Sequence, residues 1–147
     1  MKELFKYNKE HKFYWISKKF GNKTCVIMFF MNYRKSYELE WGVSKRFAVG
    51  FAIGKDRKQV MYWATRDRNF LDLKITGTGE IKFLVWAKNM LLEFEKFICD
   101  KHKGELISIA IAGSDKRRFE TYKHALAKYG YKKETPGLLN KLIRRQE

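Results

Sequence analysis

The apolar residues of this chain repeat with one period before residue 75 and another after residue 80. That change restricts it to folds that mix strands with helices. Thr24 to Tyr33 is dense in β-branched and aromatic residues and predicts a strand. Lys12 to Ile16 is a shorter apolar run, followed by a turn signal at Lys18 to Asn22. Asn32 to Ser36 would close a hairpin onto Tyr37 to Val43, where Tyr37, Leu39, Trp41 and Val43 alternate onto one face. Phe47 to Ile53 holds Gly50, ends at Gly54 and reads as a strand or an irregular segment. Gln59 to Ala64 and Phe70 to Ile75 read as two further strands.

Thr76-Gly-Thr-Gly-Glu80 then interrupts the pattern. From Ile81 to Lys101 the spacing is helical, with Ile81, Leu84, Val85, Leu91, Leu92 and Ile98 near one face and Gly104 as the stop. Glu105 to Ala112 predicts a buried strand, broken at Gly113-Ser114, where Ser114 or Asp115 can cap the next helix. That helix runs to Tyr129 with Phe119, Tyr122, Leu126 and Tyr129 on its apolar side, and Gly130 ends it. Tyr131 to Glu134 returns as a short strand, and Pro136-Gly137 bounds a short basic helix over Leu138 to Arg145.

The expected class is α+β, a central, mostly antiparallel sheet flanked by helices. A chain of 147 residues is one domain's worth and long enough to bury a core without staples. The domain reads as a strand-rich part (1–75), a glycine-loop and helix/strand part (76–134) and a basic helical end (137–147). The longest apolar run, Cys25 to Met31, is too short to span a membrane, and the first residues lack the apolar core of a secretory signal. Cys25 and Cys99 stand far apart in apolar surroundings, which suits reduced thiols and a cytoplasmic setting.

The formal net charge of +16 favours a polyanionic partner: nucleic acid, a phosphorylated cofactor such as CoA, or an acidic protein. A solvated basic surface without a partner is the alternative. The excess is distributed, with seven Lys against two Glu in residues 1–24 and seven Lys or Arg against two Asp in residues 45–68. Residues 115–147 carry ten against four.

Two strand-to-helix junctions are candidate anion sites, because a glycine turn permits close approach and a helix start offers unpaired N–H groups. The first is Thr76, Gly77, Thr78 and Gly79, where an ordinary turn is the alternative and Glu80 opposes an anion. No Gly-Lys-Ser/Thr follows and no third glycine completes a dinucleotide fingerprint. The second is Ala112 to Arg118, whose first turn adds Lys116, Arg117 and Arg118, with Lys123 further along and Arg144 and Arg145 at the basic end. His11, His102 and His124 do not cluster, so no metal site is expected. Glu38 and Glu40 share one strand face, and Glu40 is a candidate general base if it lines a cleft.

Over about residues 60–134, the order of elements resembles the GNAT acetyltransferase family, and more closely small GNAT-like proteins of bacteriophage genomes. The residues that carry the resemblance are Ile75 to Glu80, Phe83 to Ile98, Ile107 to Ile111, Arg118 with Tyr122, and Tyr129-Gly-Tyr131. The resemblance implies a GNAT-like single domain that holds the acetyl-CoA pyrophosphate at Thr76 to Ile81. Its pantetheine arm would lie along Ser108 to Gly113 and Arg118. The family's usual Arg/Gln-x-x-Gly-x-Gly/Ala pattern is incomplete here. Its frequent tyrosine general acid falls at Leu126, with Tyr122 one turn earlier as the candidate.

Two functional expectations follow. One is acetyl-CoA-dependent N-acetyl transfer to an amine with a degenerate cofactor loop. The other is a non-catalytic basic protein that binds nucleic acid or an acidic host or defence protein, acting in host takeover, anti-defence or a virion. In either case the phage resemblance places it in the host cytoplasm.

Overall fold

A computed structural model describes residues 4–31, 45–66, 81–112 and 116–143. Within these residues seven strands form one sheet: β1 Lys6–Asn8, β2 Phe13–Phe20, β3 Lys23–Met31, β4 Lys45–Gly54, β5 Ile107–Ala112, β6 Lys132–Thr135 and β7 Leu138–Ile143. Three α-helices accompany them: α1 Arg57–Arg66, α2 Ile81–Lys101 and α3 Lys116–Leu126, the last followed by a 3-10 turn at Ala127–Tyr129. The strands hydrogen-bond in the order β1-β2-β3-β4-β5-β7-β6. The β4–β5 pair is parallel, whereas β1–β2, β2–β3, β5–β7 and β6–β7 are antiparallel. The class is therefore α+β with a mostly antiparallel sheet. The described chain divides into two compact units, residues 1–30 with 50–94 and residues 31–49 with 95–147.

In the first unit β1, β2 and β3 form a meander. The β2–β3 connection is the two-residue turn Gly21-Asn22, where Gly21 takes φ 58°, a conformation that favours glycine at the head of a tight hairpin. β2 thus runs through Lys18-Lys-Phe20, which the sequence reading assigned to the turn. Side chains alternate along a strand, so Tyr14 and its partner Phe29 face one side. There Phe29 stacks on Phe94 of α2, the ring centroids 3.7 Å apart, and Phe5 meets both edge-on at 5.7 and 5.4 Å. Phe20 packs edge-on against Phe83 at 5.0 Å. Burying each such phenyl ring contributes about 1.5–3 kcal/mol, so this aromatic layer dominates the unit's stability.

α2 occupies the residues its spacing predicts, and Leu91 and Ile98 of the expected face point inward, but Leu84 and Val85 do not. Phe83, Leu91, Phe94 and Ile98 are buried, while Leu84 and Val85 are 39% and 46% exposed. The phenylalanines win because the facing strands supply aromatic partners, which no helical period reveals.

In the second unit β5 is buried over Ile107 to Ile111, between the Lys45–Val49 half of β4 and β7. Ile98, Ile107, Ile109 and Leu139 are fully buried there, and α3 buries Phe119 and Leu126. Arg46, only 3% exposed, forms a two-pronged pair with Glu134 at 2.9 and 3.4 Å. Glu95 accepts from the Tyr131 hydroxyl at 2.9 Å and from the Lys141 ammonium at 2.7 Å. Burial, then the Glu95 charge and this hydrogen bond, push the Tyr131 hydroxyl well above its ordinary pKa.

Two sequence expectations are corrected. Gln59 to Ala64 is helical, part of α1, because Asp56 and Gln59 cap a helix start ahead of it. Leu138 to Ile143 is strand β7 and not part of a basic helix at 137–147. Gly137, at φ 81°, folds this segment back on β6, and β7 then pairs on both edges, with β5 and with β6. Its Asn140 bonds Ser108 of β5 at 2.5 Å. Pairing on two edges satisfies backbone groups that helix propensity alone does not weigh. The strands expected at Tyr37 to Val43 and Phe70 to Ile75 lie outside the described residues.

Candidate functional site

The first unit carries an open depression of about 570 Å³ lined by Ser17, Lys18, Lys19, Thr24, Asp56, Arg57 and Lys58. Two pieces of local structure make it. Ser17 and Lys19 alternate onto one face of β2, and Thr24 of β3 is the direct partner of Lys19. The second piece is the start of α1. Asp56 accepts from the Gln59 amide at 2.9 Å, and the Gln59 side chain accepts from the Lys55 amide at 2.9 Å. The Val60 amide reaches the Asp56 carbonyl at 3.3 Å. The remaining first-turn amides, those of Arg57 and Lys58, have no acceptor within the helix.

The charges around these amides are unbalanced. Lys18, Lys19, Arg57 and Lys58 are all exposed, and none forms an ion pair among the described residues. In the second unit three cations are paired, Lys45 with Glu105 at 3.3 Å, Arg46 with Glu134 at 2.9 Å and Lys141 with Glu95 at 2.7 Å. Lys18 alternates to the other face of β2, where its ammonium lies 5.3 Å from the Phe20 ring centre, so the depression gathers three cations without an ion pair among the described residues, Lys19, Arg57 and Lys58, beside the Asp56 carboxylate, which is engaged as the helix cap.

Two neighbours sharpen the site. The Arg57 guanidinium lies 5.6 Å from the centre of the Trp15 ring, and Lys6 lies 5.2 Å from it. Stacking of this kind holds Arg57 in place without consuming its hydrogen-bond donors. Thr24 is 8% exposed, and its hydroxyl has no hydrogen-bond partner among the described residues. A buried hydroxyl without a partner at the wall of a cationic depression is suited to bond an incoming oxyanion.

The residues expected from sequence are placed as follows. Thr76, Gly77, Thr78 and Gly79 lie outside the described residues, as do Glu40, Arg144 and Arg145. Lys116, Arg117 and Arg118 form the first turn of α3, and Tyr122 and Lys123 follow on the same helix, Tyr122 half-buried and Lys123 exposed. The depression itself was not anticipated. Its signal was present as Asp56-x-x-Gln59 directly after a glycine-terminated strand, with Arg57-Lys58 in the first helical turn. Reading Gln59 to Ala64 as a strand concealed it.

Among the described residues no group of three or more His, Cys, Asp or Glu is placed to hold a metal ion, and no helix is long and apolar enough to cross a membrane. Cys25 and Cys99 are not disulfide-bonded. Comparison with protein families, with curated proteins and with solved structures finds no match for this chain.

Proposed function

We propose that this protein binds a polyanion, with nucleic acid as the ligand, through the depression at the start of α1. The observation that carries the reading is the set of three cations, Lys19, Arg57 and Lys58, around two helix-start amides and the Thr24 hydroxyl, none of the three cations with an ion pair and the hydroxyl with no hydrogen bond among the described residues. The net charge of +16 supports it by drawing any polyanion to the surface. Phosphate oxygens supply the acceptors that the amides, the guanidinium and the hydroxyl require.

Fluorescence anisotropy of a labelled oligonucleotide against salt concentration tests this. Three phosphate contacts give a slope of log K on log salt of about −2 to −3. Replacing Arg57 and Lys58 together by Ala lowers the magnitude of that slope by ~1.4 or more, since two contacts are lost. No binding at low salt, or an unchanged slope in the variant, rejects the reading.

A second reading is acetyl-CoA-dependent acetyl transfer to an amine. It is supported by the succession of α2, β5, α3 and a closing antiparallel strand, which follows the order behind the GNAT resemblance. Thermal unfolding with acetyl-CoA in excess decides it, because a ligand bound only by the native state raises the midpoint. An unmoved midpoint rejects acetyl transfer and leaves polyanion binding untouched.

A further inference from the structure

The depression at the start of α1 gathers more hydrogen-bond donors than a phosphate inside a strand can use. Ser17, Lys19 and Thr24 share one face of the β2–β3 pair, with Thr24 directly opposite Lys19. Arg57 and Lys58 line the same depression and bring two first-turn amides, a guanidinium and an ammonium. The Thr24 side chain is a second observation, independent of the helix start: it is 8% exposed, lines the depression, and its hydroxyl has no hydrogen bond among the described residues. Lys19, Arg57 and Lys58 against the Asp56 carboxylate leave an excess of two positive charges there. We propose that the phosphate held in the depression is a terminal monoester, at the end of a nucleic-acid strand. This rests on the polyanion reading and names the part of the polymer that the site takes.

Charge and acceptor number both favour the monoester. A phosphate inside a strand is a diester, with two free oxygens and a single negative charge. It leaves part of the donor set idle and half of the positive excess unbalanced. A terminal phosphate has three free oxygens and a charge of about −1.5 to −2 at neutral pH. The added oxygen gives the Thr24 hydroxyl an acceptor beyond those that the amides and the guanidinium fork use, and the added charge meets the remaining excess. The Arg57 guanidinium offers its donors from a fixed place, because it lies 5.6 Å from the centre of the Trp15 ring. A monoester exists only where a strand stops, so this chemistry selects ends over interiors.

The test is anisotropy at low salt with three internally labelled thymidine strands of equal length, about 12 nucleotides, which is within the span of single-strand sites. One carries a 5′-phosphate, one a 3′-phosphate, and one has hydroxyls at both ends. At least one phosphorylated strand is expected to bind ~10-fold tighter than the hydroxyl strand, the equivalent of one added charge-assisted hydrogen bond. Replacing Arg57 and Lys58 together by Ala reduces that advantage to less than about twofold, and Thr24→Val costs the phosphorylated strand more than the hydroxyl strand. Equal affinity for all three strands, or an advantage that survives the double replacement, overturns the terminal-phosphate proposal while polyanion binding stands. Thymidine 5′-monophosphate that binds as tightly as the phosphorylated strand overturns it as well, since the free nucleotide is then the ligand. Failure of all three strands to bind removes both readings.

Discussion

Arg46 and Glu134, 88 residues apart in sequence, close a two-pronged ion pair at 2.9 and 3.4 Å with the arginine only 3% exposed. The pair ties β4 to β6, the first strand of the last hairpin, within one unit. A guanidinium so buried has little access to water, and the carboxylate is what makes its burial tolerable.

Removing that carboxylate takes the ion pair away from a buried guanidinium. Glu134→Ala is expected to destabilise by about 3 kcal/mol. The double change Arg46→Met with Glu134→Leu should recover most of the loss, because it removes the charge together with its partner. Urea unfolding midpoints of the two variants measure this. A double variant as weak as the single one would show that shape, not charge, sets the cost.

Tyr131 links stability to alkaline pH. Its hydroxyl is held protonated in the native state, by burial first and by the Glu95 charge and hydrogen bond next. The unfolded chain releases this proton near the ordinary value of 10.0, so above that pH the unfolded state binds fewer protons than the native one. The contribution is fully present below pH 10 and is lost as pH climbs toward the raised native value. Tyr131→Phe should therefore cost about 1–2 kcal/mol at neutral pH, since Glu95 loses a donor. Its stability should also fall less steeply than the parent's above pH 10. Thermal midpoints across that range check both, and parallel curves for the two proteins would contradict the linkage.

Thr24→Val separates ligand binding from folding. The hydroxyl has no partner among the described residues, so replacing it with a methyl of similar shape should leave stability unchanged or raise it slightly. Oligonucleotide affinity should drop ~3-fold or more, the equivalent of one modest hydrogen bond. A variant that binds as well as the parent would exclude the hydroxyl from the site.

Asp56 has two opposed effects, one on the helix and one on the ligand. Asp56→Ala should weaken α1 by ~1 kcal/mol through loss of the cap. Asp56→Ser keeps a capping oxygen but removes the carboxylate that lines the depression beside Lys19, Arg57 and Lys58. It should preserve the unfolding midpoint while tightening oligonucleotide binding. Weaker binding by the serine variant would mean that the carboxylate itself contacts the ligand.

Much of the fold was legible in local pattern. The run at Thr24 to Tyr33, the helix from Ile81 and the buried Glu105 to Ala112 correspond to β3, α2 and β5. Each is long or strongly biased, so backbone preference and period point the same way. The errors fell where a short segment's fate depends on distant partners. Leu138 to Arg145 has helix-forming residues, yet two flanking strands and the Ser108–Asn140 bond draw Leu138 to Ile143 into the sheet. Which side of α2 is buried was decided by Phe29 and Phe5, residues remote in sequence.

The sequence by itself determined the α+β class, the basic charge and the positions of the longest elements, because these follow from composition and spacing along the chain. Tertiary structure alone decided which cations meet a carboxylate and which do not. Lys45, Arg46 and Lys141 look no different in sequence from Lys18, Lys19, Arg57 and Lys58. The first three meet Glu105, Glu134 and Glu95, while the last four form no ion pair among the described residues, because ion pairing depends on distance in space, which the fold sets.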